Sequence, residues 1–249
     1  MKMVYGILGY PLVHSYSPDF FNRMFETKGI NAEYLKFETS EISDIHQILH
    51  SHPNLAGFNV TIPHKQAIIP FLDDISQEAE DIGAVNCVKV SIRNFHPYLT
   101  GYNTDTLGFG RALSKFIPSN LKQALILGNG GAAKAVRYTL KQMQINSITV
   151  SRTPQETDQI GYTSVDEYLT DHLLIVNTTP LGTFPNIKEC PVIPYHHLTS
   201  HHYLFDLVYN PSNTLFMQLG AQYGAYTCNG YAMWKEQAIC SWKIWNNII

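Results

Sequence analysis

An α/β protein of two consecutive units is the fold class this sequence predicts. Three observations carry the prediction. Short apolar runs alternate with helical patterns along most of the chain, a Gly-rich turn at 128–133 joins one such run to a helix, and no flexible linker or internal repeat interrupts the sequence. With 249 residues, 45% hydrophobic and 15% charged, the chain can bury a substantial core without disulfides, and a disordered composition is excluded. A net charge of −3 without a basic stripe argues against nucleic acid as a partner. No apolar run approaches the ~20 residues of a membrane span, so no membrane is expected either. Cys87, Cys190, Cys228 and Cys240 lie far apart with no C-x-x-C pair, which fits a reducing, cytoplasmic setting.

In the first unit, residues 4–8 read as a strand. The segment MKMVYGILGYPL is taken as the first buried strand of the mature protein, because Gly6, Gly9 and Pro11 break its apolar run and no cleavage site follows. A helix is expected over 18–28, a strand over 33–37, a helix over 42–50, and strands over 55–60 and 85–90. This βαβ alternation predicts a mostly parallel sheet covered by helices. A helix over 106–116 is the expected hinge. The second unit follows with a strand at 123–127, a helix at 131–143, strands at 147–150, 173–176 and 203–205, and a long helix at 230–245.

Gly128, Gly130 and Ala133 occupy a G-x-G-x-x-A pattern between strand and helix, the signature of a Rossmann-type dinucleotide-binding turn. Gly128 would allow the tight turn, Gly130 the approach of a pyrophosphate, and Ala133 close helix–strand packing. The helix N-terminus offers free N–H groups to phosphate. The next strand ends Ser151-Arg152-Thr153, where an NAD site would place an acid. Arg152 can instead pair with a 2′-phosphate, with Ser151 and Thr153 donating hydrogen bonds, which favours NADP over NAD. A solvated surface arginine is the alternative.

Polar residues cluster in the first unit. Ser15 and Ser17 follow the first strand, and Ser17 is also a credible helix N-cap with Pro18 behind it. Asn59, Thr61 and Lys65 follow another strand, at what should be the carboxyl end of the sheet. Asn86, Asn103 and Asp105 add amides and a carboxylate. Asp105 is also a candidate cap for the helix at 106, and Lys65 a candidate surface lysine. No metal site is expected. His196, His197, His201 and His202 read as surface loop histidines, and His14 as a structural hydrogen-bonder.

The blocks GYPLVHSYSP, GFNVTIPHK, AVNCV, GYNTDTLGF, ILGNGGAAKAV, SRT, NTTPLGT, DLVYNPSNT and NGYAMWKEQA occur in the order seen in the shikimate dehydrogenase family, which the chain resembles over nearly its whole length. The resemblance implies NADPH-dependent reduction of 3-dehydroshikimate to shikimate, on the path to aromatic amino acids. It implies a substrate domain over 1–104 completed by the helix 230–249, and an NADP domain over 105–229. Lys65 and Asp105 match the catalytic pair. Ser15, Ser17, Thr61, Asn86, Tyr209 and Gln237 match substrate-binding positions. Gly128, Asn129, Gly130, Gly131, Ala132, Ser151, Arg152, Thr153, Leu207 and Gly230 match cofactor contacts. A monomer or homodimer with a small-molecule substrate is expected. The rivals are a quinate/shikimate dehydrogenase using NAD or either cofactor, and a non-catalytic NADP-binding or regulatory paralogue, which intact Lys65 and Asp105 argue against. Asn129 stands where alanine is commoner, a second basic residue after Thr153 is missing, Trp234-Lys235-Glu236 is more polar than usual, and the C-terminus is short for the family.

Overall fold

The computed structural model describes residues 2–13 and 15–248, and His14 lies outside them. It divides into two compact units: residues up to Thr104 with those from Ala238 onward, and residues Asp105–Gln237.

The first unit contains β1 (Met3–Gly9), α1 (Ser17–Lys28), β2 (Ala32–Glu38), α2 (Ile45–Ser51), β3 (Leu55–Val60), β4 (Asp74–Ile75), α3 (Gln77–Ile82), β5 (Cys87–Arg93) and β6 (His96–Tyr102). Its sheet has the order β2-β1-β3-β5-β6-β4. The β1 strand is parallel to both β2 and β3, so the connection order reverses at its carboxyl end. Three of the five pairings in this sheet are parallel, including β4 with β6, as the mostly parallel sheet expected requires. The β5 strand runs antiparallel to β3, and β6 antiparallel to β5. The β5–β6 reversal has a local cause. Asn94 and Phe95 both take positive φ, 50° and 66°, and close a tight hairpin that admits only antiparallel partners. With Pro97 near its start and Gly101 near its end, β6 carries no strand signal of its own.

The β1 strand is buried at every position after its first, as a central strand covered on both faces should be. One face packs Val4, Leu8, Phe37, Phe58, Val60 and Val85. On another side of the unit Tyr5, Phe21, Phe25 and Tyr34 meet Trp242 and Trp245 of the last helix. The Trp245 indole N–H donates to the Val88 carbonyl at 3.0 Å. A side chain at Gly57 would collide with that indole, so this glycine makes the seat for Trp245.

The second unit contains α4 (Asp105–Phe116), β7 (Gln123–Leu127), α5 (Gly131–Gln142), β8 (Asn146–Val150), β9 (Gln159–Ile160), β10 (Leu174–Asn177), β11 (Tyr203–Asp206), α6 (Leu215–Gln222), β12 (Tyr226–Cys228) and α7 (Tyr231–Trp245). From Ala238 on, α7 belongs with the first unit. The sheet order is β12-β11-β10-β7-β8-β9, and every pairing is parallel. Counted from β7 this is the 3-2-1-4-5-6 order of a Rossmann-type sheet. The sequence reading did not include β9, α6 and β12. The first and last are too short for a periodicity to register.

Candidate active site

Register collects the polar residues of the first unit at one edge of its sheet. Leu8 pairs with Val60, Asn59 with Cys87, and Cys87 with Tyr102. The segments after β1, β3 and β6, and the residue before β5, therefore share that edge. They carry Ser15 and Ser17, Thr61 and Lys65, Asn103 and Thr104, and Asn86.

The backbone fixes these segments to one another. Thr61 N–H donates to Leu8 O at 2.9 Å, and Tyr10 N–H to Ile62 O at 2.9 Å. A side chain at Gly9 would collide with Thr61, so the approach of these two loops requires glycine. The Glu38 carboxylate accepts from Leu12 N–H at 2.9 Å and ties down the chain after β1. His64 is buried with its ring 2.8 Å from Thr39 O, next to the half-buried Lys65. Lys65 O accepts from Val85 N–H at 2.7 Å, which sets Lys65 beside the 84–86 segment.

Asn86 is buried, and its Oδ1 accepts from Thr104 N–H at 2.7 Å and Thr104 Oγ1 at 3.1 Å. A backbone N–H can only donate, so the oxygen must face Thr104 and Nδ2 must point away from it. Two sequence expectations change here. The Asn59 amide is consumed inside the fold: Tyr34 Oη donates to its Oδ1 at 2.8 Å, while Nδ2 donates to Ser241 Oγ at 2.8 Å and Asn86 O at 3.2 Å. Ser17 is not the N-cap. It is the first residue of α1, Tyr16 takes the cap position, and no side chain caps the helix. Pro18, held in the first turn, has no N–H that needs a cap.

In the second unit the turn after β7 is tied down by Gly128 N–H to Val150 O at 2.9 Å, and by Thr178 N–H and Oγ1 to Leu127 O at 3.0 and 2.7 Å. Gly128 has φ +106°, and a Cβ there would lie 2.8 Å from Thr178 Oγ1, so conformation and space both demand glycine. Gly130 is different. Its φ is −86°, and a Cβ would meet nothing within 4 Å. The chain itself does not require glycine there, and the open space lies at the α5 N-terminus, which no side chain caps. Ala133 is buried in the core against α4 and β7 residues.

Ser151 follows β8, buried, with its Oγ accepting from Thr153 N–H at 3.2 Å. Arg152 and Thr153 are exposed. The acids of this loop are engaged elsewhere: Arg137 pairs with Asp158 at 3.0 Å and Glu156 at 3.4 Å. Among the described residues Arg152 has no ion-pair partner, so its guanidinium is available to an anion. Leu207 and Gly230 are in contact, since a side chain at Gly230 would collide with the Leu207 backbone. Gln237 lies on α7 with its Cβ 3.2 Å from where a side chain at Gly108 would begin, one turn along α4 from the buried Asp105. Tyr209 packs against Trp234, ring centroids 5.6 Å apart.

Residues 7–88 match the family model described as the shikimate dehydrogenase substrate binding domain. The chain is 34% identical over 98% of its length to the shikimate dehydrogenase (NADP(+)) of Methanococcus maripaludis, covering 91% of that protein. It belongs to the shikimate dehydrogenase family. A crystal structure of a shikimate dehydrogenase in complex with NADP+ superposes with a TM-score of 0.87 at 32% identity, over 99% of this chain and 90% of that one. The enzyme from Thermus thermophilus, in complex with NADP(H) and shikimate, gives a TM-score of 0.84 at 28% identity, over 98% and 94%.

This member of the shikimate dehydrogenase family has buried polar centres that sequence reasoning did not single out. Asp206, fully buried at the end of β11, accepts from Asn177 Nδ2 at 2.9 Å, Val208 N–H at 3.0 Å and Thr214 Oγ1 at 2.6 Å. Burial pushes its carboxyl up to about 6, against the pull of these donors. The Asp in DLVYNPSNT was the only signal, and charge alone does not mark burial. His202 departs from the surface position expected of it. It is buried, not on the surface: its Nδ1 accepts from Thr199 N–H at 3.0 Å, its Nε2 lies 3.0 Å from Leu169 O, and desolvation lowers its pKa. His197 also has an acid partner, Asp166. Among the described residues no group of three His, Cys, Asp or Glu could hold a metal ion, and no helix is long and apolar enough to cross a membrane.

Proposed function

We propose that this chain catalyses the reversible NADPH-dependent reduction of 3-dehydroshikimate to shikimate. The observation that carries the reading is the sheet edge of the first unit, where register and backbone hydrogen bonds gather Lys65, Asn86, Thr61 and the Ser15–Ser17 loop. The substrate's groups are a carboxylate, a ketone and hydroxyls, which suits hydroxyl, amide and ammonium donors on one edge. Ser15, Ser17, Thr61, Asn86, Tyr209 and Gln237 are assigned to holding the substrate.

The second unit fits a dinucleotide. The space at Gly130 would take a pyrophosphate against the uncapped α5 N-terminus, with Asn129, Gly131 and Ala132 alongside. Ser151, Arg152 and Thr153 would hold the 2′-phosphate, and Leu207 and Gly230 the far end of the cofactor. When bound, the nicotinamide supplies the hydride chemistry. Lys65 holds the proton that the substrate oxygen takes up as negative charge develops on it, and accepts it back in the reverse direction. Asp105 is assigned as the second member of the catalytic pair. Asn86, with Oδ1 already committed, can only donate to the substrate.

None of its four cysteines is in a disulfide, which accords with a cytoplasmic enzyme. The test is to mix the purified chain with shikimate and NADP and follow the absorbance of reduced nicotinamide. Parallel arms with quinate, and with NAD, separate the rival activities. No reduction of NADP with shikimate would sink the reading.

A further inference from the structure

Ser241, on the last helix and fully buried, makes polar contacts that none of the assignments above uses. Its Oγ accepts from Asn59 Nδ2 at 2.8 Å and lies 3.3 Å from Thr104 Oγ1. Thr104 in turn donates through both its N–H and its hydroxyl to Asn86 Oδ1. Asn59 closes the circuit by donating to Asn86 O at 3.2 Å, with Tyr34 Oη on its own Oδ1 at 2.8 Å. Every one of these groups belongs to the first unit.

Hydrogen counting gives the circuit a direction. Asn59 has donors only on Nδ2, so Ser241 Oγ accepts there. If Thr104 spends its single hydroxyl proton on Asn86 Oδ1, the hydrogen between Ser241 and Thr104 must come from Ser241. With the Ser241 proton on Thr104 the run is Asn59 to Ser241 to Thr104 to Asn86, each bond polarising the next in a dry interior, and the Cys87 thiol is a further hydrogen-bond partner of Ser241. Its end is the Asn86 amide, whose Nδ2 points away from Thr104.

We propose that Ser241 is a positioning residue for substrate binding, acting through Thr104 on the orientation of the Asn86 amide. The proposal rests on the assignment of Asn86 to the substrate. It makes the C-terminal helix part of the binding machinery through its hydroxyl as well as its aromatic packing.

A double-mutant cycle on the full chain tests this. Ser241→Ala should raise KM for shikimate by about tenfold, with kcat and KM for NADP changed by less than about twofold. In an Asn86→Ala background, the same change should add nothing, because the group it positions is gone. Thr104→Val, which keeps the N–H and removes the hydroxyl, should reproduce the KM rise, and Thr104→Ser should restore the parent value. This pair carries the test if Ser241→Ala does not fold. An unchanged KM in Ser241→Ala, or the same rise with and without Asn86, would overturn the proposal while leaving Asn86 as a ligand. If Asn86→Ala itself binds shikimate as the parent does, both the proposal and the underlying assignment of Asn86 fall.

Discussion

Val85 N–H donates a 2.7 Å hydrogen bond to the carbonyl oxygen of Lys65. The backbone of the candidate acid is thus anchored to the segment that carries Asn86, independently of the Lys65 side chain. Removing that side chain should leave the loop where it is. Lys65→Ala is therefore expected to lower kcat by roughly 10²- to 10⁴-fold, the usual range for a lost acid or base, with little change in melting temperature. Steady-state kinetics beside a thermal melt would check it. Turnover within twofold of the parent would remove Lys65 from proton transfer.

Arg152 is exposed at the end of β8, and the neighbouring acids Glu156 and Asp158 are paired with Arg137. A charge-assisted hydrogen bond is worth about 1.5–3 kcal/mol. Arg152→Ala should thus weaken NADP by roughly 10- to 150-fold and leave NAD nearly unchanged. No second basic residue follows Thr153, so the upper half of that range is expected. Equal losses with the two cofactors would mean that Arg152 does not read the 2′-phosphate.

Gln237 sits where α7 crosses α4 closely, with Gly108 making the room: a Cβ there would lie 2.6 Å from Met233 O. This keeps Gln237 within a turn of Asp105 along α4. Gln237→Ala is expected to raise KM for shikimate severalfold while KM for NADP stays constant. Initial rates with each substrate varied would show it, and a loss confined to NADP would contradict the assignment.

The sequence made the parallel core of both units readable because their central strands are buried on both faces and appear as apolar runs, as in 4–8 and 123–127. It also announced the β7–α5 turn, where Gly128 is demanded by backbone and space. What stayed hidden depends on partners distant in sequence. Ser241 and Asn59 are 182 positions apart, and nothing local in NVTIPHK says that its amide turns inward to a C-terminal serine. His202 looked like one of four surface histidines because its partner Leu169 comes from another loop. The β5–β6 hairpin was missed because its turn is Asn94-Phe95, whose second residue lacks the glycine that usually betrays such a turn.

Asp206 gives the last prediction, a pH dependence with a defined sign. Its carboxyl has an ordinary value of 3.8, and burial raises it to about 6. A raised acid binds its proton more tightly in the folded than in the unfolded chain. The charged carboxylate therefore costs stability above pH 6, and that cost is relieved as pH falls through 6 toward 3.8. At about 1.4 kcal/mol per pH unit, the full relief is of the order of 3 kcal/mol. Asp206→Asn provides the reference: its Oδ1 can keep the hydrogen bonds from Asn177 and Val208, Thr214 Oγ1 can turn to accept from its Nδ2, and it does not titrate. His172 and His202 act in the opposite sense. Their pKa values are lowered by burial, so the stability they lend is present above 6.5 and lost as pH falls below it. Both histidines remain in the variant and cancel in the comparison. Urea unfolding of parent and Asp206→Asn at pH 7.5, 6 and 4.5 should show the difference moving toward the parent as pH falls. A difference constant across that range would mean that Asp206 titrates alike in the folded and unfolded chain, and a shift toward the variant would mean that its donors outweigh its burial.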